Sequence, residues 1–277
     1  MAETKFYDYA TGKEVKNNPE EAYRQLFEHI LIDDLGYPKS HIDIEVVLQR
    51  GANRNAEEVD IVVYNSPVHR QENAYIIIEI ETPKKKYDLQ AFSYVTATTA
   101  PYCVWFAGFE KNSEGPFYHY RDLAVDPTKF ISIPTLPRYG ETQETIGKYR
   151  KQDLKPAKAL KLLFSRMYYK LYGNGPIKRE ENIAVEVIKM LFCKIMDEIS
   201  PDDLCEFRAT PLELASEEGK KAIRKRIDGL YAKLLRDPDF GTMFKGEQLE
   251  YDNDWIAYIV SELQGIALMH EDTNTDA

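Results

Sequence analysis

Hydrophobic positions along the chain change their spacing twice. Over residues 22–31, Ala22, Leu26 and Ile30, with Tyr23, Phe27 and Leu31 beside them, recur at helical intervals and predict an amphipathic helix. Asn18-Pro19-Glu20-Glu21 supplies its start: an Asn cap, Pro at the first helical position, and acids where the helix dipole favours them. Gly36 closes it. Three strand candidates follow, at residues 42–48, 59–64 and 75–81, separated by turns rich in Gly, Asn, Pro and Ser. A second helix is predicted over residues 89–97, and strands near 102–106 and 116–120. Helix, three strands, helix, strand is the order of an α/β domain.

Prolines and polar residues dominate residues 126–156, which read as a linker or crossing segment. Beyond it the spacing is helical only, over residues 160–171, 183–199, 222–235 and 255–266. Capping signals such as Ser200-Pro201-Asp202-Asp203 separate these helices. The expected organisation is an α/β domain at 1–125, a connection at 126–156 and an all-α domain at 157–277. No internal repeat is visible.

Composition narrows the function. The 277 residues, 43% of them hydrophobic, suffice for a sizeable core. A net charge of -10 argues against holding nucleic acid by bulk attraction, and neither half of the chain is a basic arm. A local basic groove is still allowed. Cys103, Cys193 and Cys205 fit no disulfide framework and no zinc pattern, so a reducing, cytoplasmic setting is expected. No window reads as a signal peptide or a membrane span.

The candidate chemistry lies on the third strand. Period-two alternation puts Glu79 and Glu81 on one face, with Ile76, Ile78 and Ile80 on the other. Two carboxylates on a half-buried strand need a reason, because unpaired buried acids are costly. A divalent cation is one, and Asp60 on the preceding strand would be a third carboxylate if the two strands pair. Mg²⁺ keeps several waters, so an Asp, a Glu and a backbone carbonyl would suffice to hold it.

Asp60 followed by Glu79-Ile80-Glu81-Thr82-Pro83 resembles the PD-(D/E)xK nuclease core, and Gln90-Ala91-Phe92-Ser93-Tyr94 resembles the QxxxY motif of its RecB-like branch. Residues 12–109 are similar, more specifically, to the N-terminal domain of the R subunit of type I restriction enzymes. The similar segments are Gly12-Lys13, the run from Pro19 to Gln25, Gly36-Tyr37-Pro38, and Val104-Trp105-Phe106-Ala107-Gly108. This resemblance implies a restriction-endonuclease-like α/β fold and Mg²⁺- or Mn²⁺-dependent hydrolysis of DNA phosphodiesters. Asp60 and Glu79 would be metal ligands, and Gln90 and Tyr94 would position DNA or the site. An acid from the first helix often joins such sites; on a helical wheel Glu20 borders the apolar face and Glu21 points away, so Glu20 is carried over.

One position departs from the family pattern: Glu81 stands where it has Lys. A carboxylate there cannot lend the positive charge that stabilises hydroxide and the charge developing on phosphorus. Lys84, Lys85 and Lys86 follow at once, and one of them, Lys84 being the first, is placed to reach back. The alternative is a catalytically degenerate nuclease fold that binds DNA or assembles subunits.

Leu191-Phe192-Cys193-Lys194-Ile195-Met196-Asp197-Glu198, with helices either side, looks like the N-terminal helical domain of type I adenine-specific DNA methyltransferases. The methyltransferase signatures themselves are absent, so methylation is not expected. Methyltransferase and specificity subunits become candidate partners beside DNA. The polar end, from Glu271 to Ala277, falls where a methyltransferase catalytic domain would begin, so the chain reads as part of a longer polypeptide. The ordinary readings are a solvent-facing edge for the two glutamates, a solvated turn for the lysines, a surface residue and a core aromatic for Gln90 and Tyr94, and core for Cys193.

Overall fold

A computed structural model describes residues 6–49, 57–87, 95–109, 115–177, 179–244 and 247–270. The chain divides into two compact units, Met1–Tyr139 and Gly140–Ala277.

In the first unit a small hairpin of β1 (Phe6–Tyr7) and β2 (Glu14–Val15) leads into α1 (Pro19–His29). The Asn18 side chain accepts the Glu21 amide at 2.7 Å, as its sequence position predicts. A π-helical turn, Ile30–Asp34, continues α1, and Gly36 ends it in the left-handed region at φ 79°.

The strands β3 (Ile42–Leu48), β4 (Glu57–Tyr64), β5 (Ala74–Ile80), β6 (Tyr102–Phe106), β7 (Phe117–Tyr120) and β8 (Ile131–Ile133) form one sheet in that order. Only β5 and β6 run parallel, so the sheet is mixed. Parallel neighbours need a long crossover, here residues 81–101. The helix predicted at 89–97 falls largely in 88–94, outside the described residues. Tilted rings of Phe27 and Phe106, 5.0 Å apart, join α1 to the sheet.

Two expectations change. β5 is not half-buried: Ile76, Ile77 and Ile78 are all fully buried, so both faces of the strand are covered, and Glu81 lies beyond its end. The segment read as a linker contains β8, and residues 137–139 bond back to the end of α1. Tyr37 donates to the Pro137 carbonyl, Arg138 pairs with Asp34, and the Tyr139 amide donates to Leu35.

The second unit is helical, with α2 (Leu160–Asn174), α3 (Glu180–Glu198), α4 (Pro211–Leu214), α5 (Glu217–Arg236) and α6 (Asn253–Leu263). A two-residue parallel pair, β9 (Lys155–Pro156) with β10 (Ile266–Ala267), brings its ends together. Leu163, Met167, Met190, Cys193, Ile223, Ile227 and Leu263 share one core. Ser200-Pro201-Asp202-Asp203 starts no helix; the caps are Thr210, Ser216 and Asp252, each accepting an amide of its first turn. No described helix is long and apolar enough to cross a membrane.

Candidate active site

The register of β4 against β5 ends at Ile61 opposite Ile78, one residue short of Asp60 and Glu79, which come together where the two strands open. The Ile80 amide, past the β4–β5 register, donates to Asp60 Oδ2 at 2.7 Å and fixes that carboxylate beside the end of β5. The Asp60 and Glu79 side chains hydrogen-bond to each other. Burial raises the pKa of both, and the negative charge of Asp60 helps push Glu79 up to about 9, while the Ile80 amide and the Glu79 hydrogen bond hold Asp60 back. Two carboxyl groups pressed together near neutral pH retain a proton on the Glu79 side.

Glu81 follows the strand, its amide donating to the Phe106 carbonyl at 2.8 Å. Its carboxylate is paired with Lys85, and that hydrogen bond raises the lysine pKa. Lys85 also feels Glu20 and Glu79. The lysine that pairs with a carboxylate here is therefore Lys85, itself exposed; Lys84, singled out from the sequence, is exposed on the same turn and makes no ion pair among the described residues. The four-residue spacing of Glu81 and Lys85 brings the two together across the turn.

On the other side of Asp60 a cleft of about 410 Å³ is lined by residues that include Glu20, Glu21, Arg24, Glu45, Glu58 and Asp60. Glu20 is exposed, and its charge helps raise the Asp60 pKa. Glu21 does not point away, as the wheel predicted: it is buried and paired with Arg24. The buried side of α1 runs through Glu21, Arg24, Phe27, Glu28 and Leu31, whereas Ala22 is exposed. That face is partly polar: Phe27, Ile30 and Leu31 are buried as the apolar pattern predicts, and Glu21, Arg24 and Glu28 extend the buried side beyond it.

Arg24 and Glu45 are among the cleft residues that sequence reasoning missed. Arg24 is buried, holds Glu21 and reaches Glu45 at 3.1 Å. Glu45, within β3 and level with Asp60 in the register, has φ 52°, a left-handed conformation that a glutamate adopts only under constraint. No sequence signal marks it. Behind Arg24, Asp8 and Glu28 form a second carboxyl pair, both buried. Burial raises Glu28 to about 9, with Asp8 adding its hydrogen bond and charge.

Among the described residues no group of three or more His, Cys, Asp or Glu side chains is arranged to hold a metal ion. Among those residues no cage of three protein side chains is preformed. This does not exclude Mg²⁺, which is commonly held by one or two carboxylates with its remaining positions filled by water. Asp60 and Glu79, adjacent hard oxygen donors whose pKa values burial raises, fit such an ion. Gln90 and Tyr94 lie outside the described residues.

Residues 19–137 match the family model described as type I restriction enzyme R protein N terminus (HSDR_N). The match takes in α1 and all six strands of the sheet, including the strand ends that carry Asp60 and Glu79. It supports a restriction-modification, nuclease-like role. No curated protein matches the chain.

Proposed function

With residues 19–137 matching the N terminus of type I restriction enzyme R proteins, we propose that the first unit is a Mg²⁺- or Mn²⁺-dependent DNA endonuclease module. The observation that carries this reading is the hydrogen-bonded pair of Asp60 and Glu79 where β4 and β5 part, with Glu79 pushed to about 9. Two carboxyl groups so placed are stabilised by a bound cation, which replaces the proton they must otherwise keep.

Asp60 and Glu79 would be the ligands. A divalent ion held there supplies Lewis acidity toward a phosphodiester oxygen and acidifies bound water. The protein's own part is positional. The Ile80 amide keeps Asp60 in place, and Glu81 anchors Lys85. Lys85 thereby brings its ammonium to the acids from four residues beyond the position where the family has Lys, as the source of positive charge for the hydroxide and for the charge developing on phosphorus. Glu20 is the accessory acid at the open side. Gln90 and Tyr94 are assigned to DNA positioning from their motif alone.

A second reading, a degenerate fold that binds DNA or assembles methyltransferase and specificity subunits without cleaving, is favoured by one feature: the Lys85 ammonium is engaged by Glu81. Plasmid nicking by the wild type and by Glu81→Lys separates the two. Cleavage by the wild type supports the nuclease, and cleavage only by the variant supports degeneration.

A further inference from the structure

Acids exceed bases over the chain as a whole, yet residues 145–179 hold ten Lys and Arg and a single acid, Asp153. Totals for each half conceal this concentration. Part of it is spent internally: Arg166 pairs with Glu262, Arg150 with Asp203, and Lys151 donates to the carbonyl and hydroxyl of Ser200. Lys155, Lys158 and Lys161 are different. All three are exposed, and none has a carboxylate partner among the described residues. In the same unit Lys189, Lys194, Lys220 and Lys233 each have one.

Lys158 and Lys161 also flank the start of α2. Helices α3, α5 and α6 begin with acids, as the positive end of the helix dipole favours. The first turn of α2 has none, and its cap, Ala159, offers no side-chain acceptor. Cations placed there oppose the dipole, so local stability does not account for them. Helical spacing continues the exposed face from Lys161 through Ser165 to Tyr169 and Tyr172. The Tyr168 ring lies flat on Tyr172 at 5.7 Å and meets that of Tyr169, which is 45% exposed, edge-on.

We infer that Lys155, Lys158 and Lys161, at the start of α2, form a contact surface for the sugar-phosphate backbone of DNA, separate from the carboxylate site of the first unit. Charge complementarity selects a polyanion. That the polyanion is DNA rests on the proposed nuclease reading. Phosphate contacts of this kind hold and orient a duplex without reading its sequence.

The test uses the full chain and a fluorescein-labelled DNA duplex in EDTA, where metal-dependent cleavage cannot occur. Binding is followed by anisotropy as salt is raised. The variant Lys155→Gln/Lys158→Gln/Lys161→Gln is expected to bind about tenfold more weakly and to lose roughly 0.9 of the log-log salt slope for each lysine removed. The control Lys220→Gln/Lys233→Gln keeps the wild-type slope. Lys161→Glu is expected to weaken binding and yet raise the melting temperature, because it places an acid in the first turn of α2. An unchanged affinity and slope in the triple variant overturns the inference. So does equal competition by polyglutamate, which marks a site for acidic protein. With Asp60 and Glu79 intact throughout, the outcome is independent of whether the chain cleaves.

Discussion

Asp60, within β4, and Glu79, near the end of β5, share a hydrogen bond between their carboxyl groups just past the last paired residues of the two strands. Most of the chemistry proposed for this protein follows from that contact. Like charges are held together only where a proton or a cation lies between them, and the Ile80 amide prevents Asp60 from swinging away.

Cation binding must therefore displace a proton. Burial, the Asp60 charge and the Glu81 charge hold Glu79 at about 9, so below that pH each bound Mg²⁺ releases about one proton. Mg²⁺ affinity, measured by calorimetry, is expected to rise by up to about tenfold per pH unit between neutrality and pH 9 and then level off. Glu79→Gln removes both the proton release and most of the affinity. Affinity independent of pH would mean that the cation is held elsewhere.

The lysines at the turn are not equivalent. Lys85→Ala is expected to lower the rate of metal-dependent cleavage by about 100-fold, in keeping with the loss of one charge that stabilises a transition state. Lys84→Ala should leave the rate within a factor of about two, because Lys85 and not Lys84 pairs with Glu81. In the Lys85→Ala background, Glu81→Lys should restore most of the activity. Single-turnover rates on one plasmid substrate give all three comparisons, and equal loss in the two single variants contradicts the assignment.

Glu45 carries strain that can be measured. Its φ of 52° suits glycine, so Glu45→Gly exchanges an ion pair to Arg24 for relief of an unfavourable backbone. Glu45→Ala loses the pair and keeps the strain. Urea unfolding is expected to find the Gly variant more stable than the Ala variant by about 1 kcal/mol. The opposite order would show that the conformation costs little.

The Asp8 and Glu28 pair sets a second pH dependence, this one on stability. Burial raises Glu28 from its ordinary value of 4.5 to about 9 in the folded protein, so across that window the folded state holds more protons than the unfolded one. Stability from this group is complete below about pH 4.5 and is lost as pH rises toward 9, by at most about 1.4 kcal/mol per unit. Each carboxyl keeps one buried oxygen without a donor, Asp8 Oδ2 and Glu28 Oε1, consistent with a retained proton. Glu28→Gln should flatten the loss between pH 6 and 8.5 in urea melts. A wild type that gains stability over that range would contradict it.

The strands that carry Asp60 and Glu79 are legible in the sequence because their runs of Val and Ile and the intervening turns mark them, although burial of both faces removes the period-two alternation. Their pairing follows from the shortness of the connection. Helix α1 is legible at its cap, where Asn18 and Pro19 act locally. Its buried face is legible at Phe27, Ile30 and Leu31 but not at Glu21, Arg24 and Glu28, which are buried by pairing, Glu21 with Arg24 one turn on and Glu28 with distant Asp8, while apolar spacing ranks them as solvent-facing. β8 is hidden for a related reason: Ile131-Ser132-Ile133 is short, partly exposed and set among prolines. The basic stretch around α2 is plain in the sequence once the charge is counted locally.

The most direct test is nicking of supercoiled plasmid by the full chain in Mg²⁺ or Mn²⁺, beside EDTA controls and the variants Asp60→Asn and Glu79→Gln. The expected result is metal-dependent nicking by the wild type, lost by at least about 100-fold in both variants while their folds stay intact. Nicking that survives both substitutions, or a wild type inactive in either metal, would contradict the nuclease assignment.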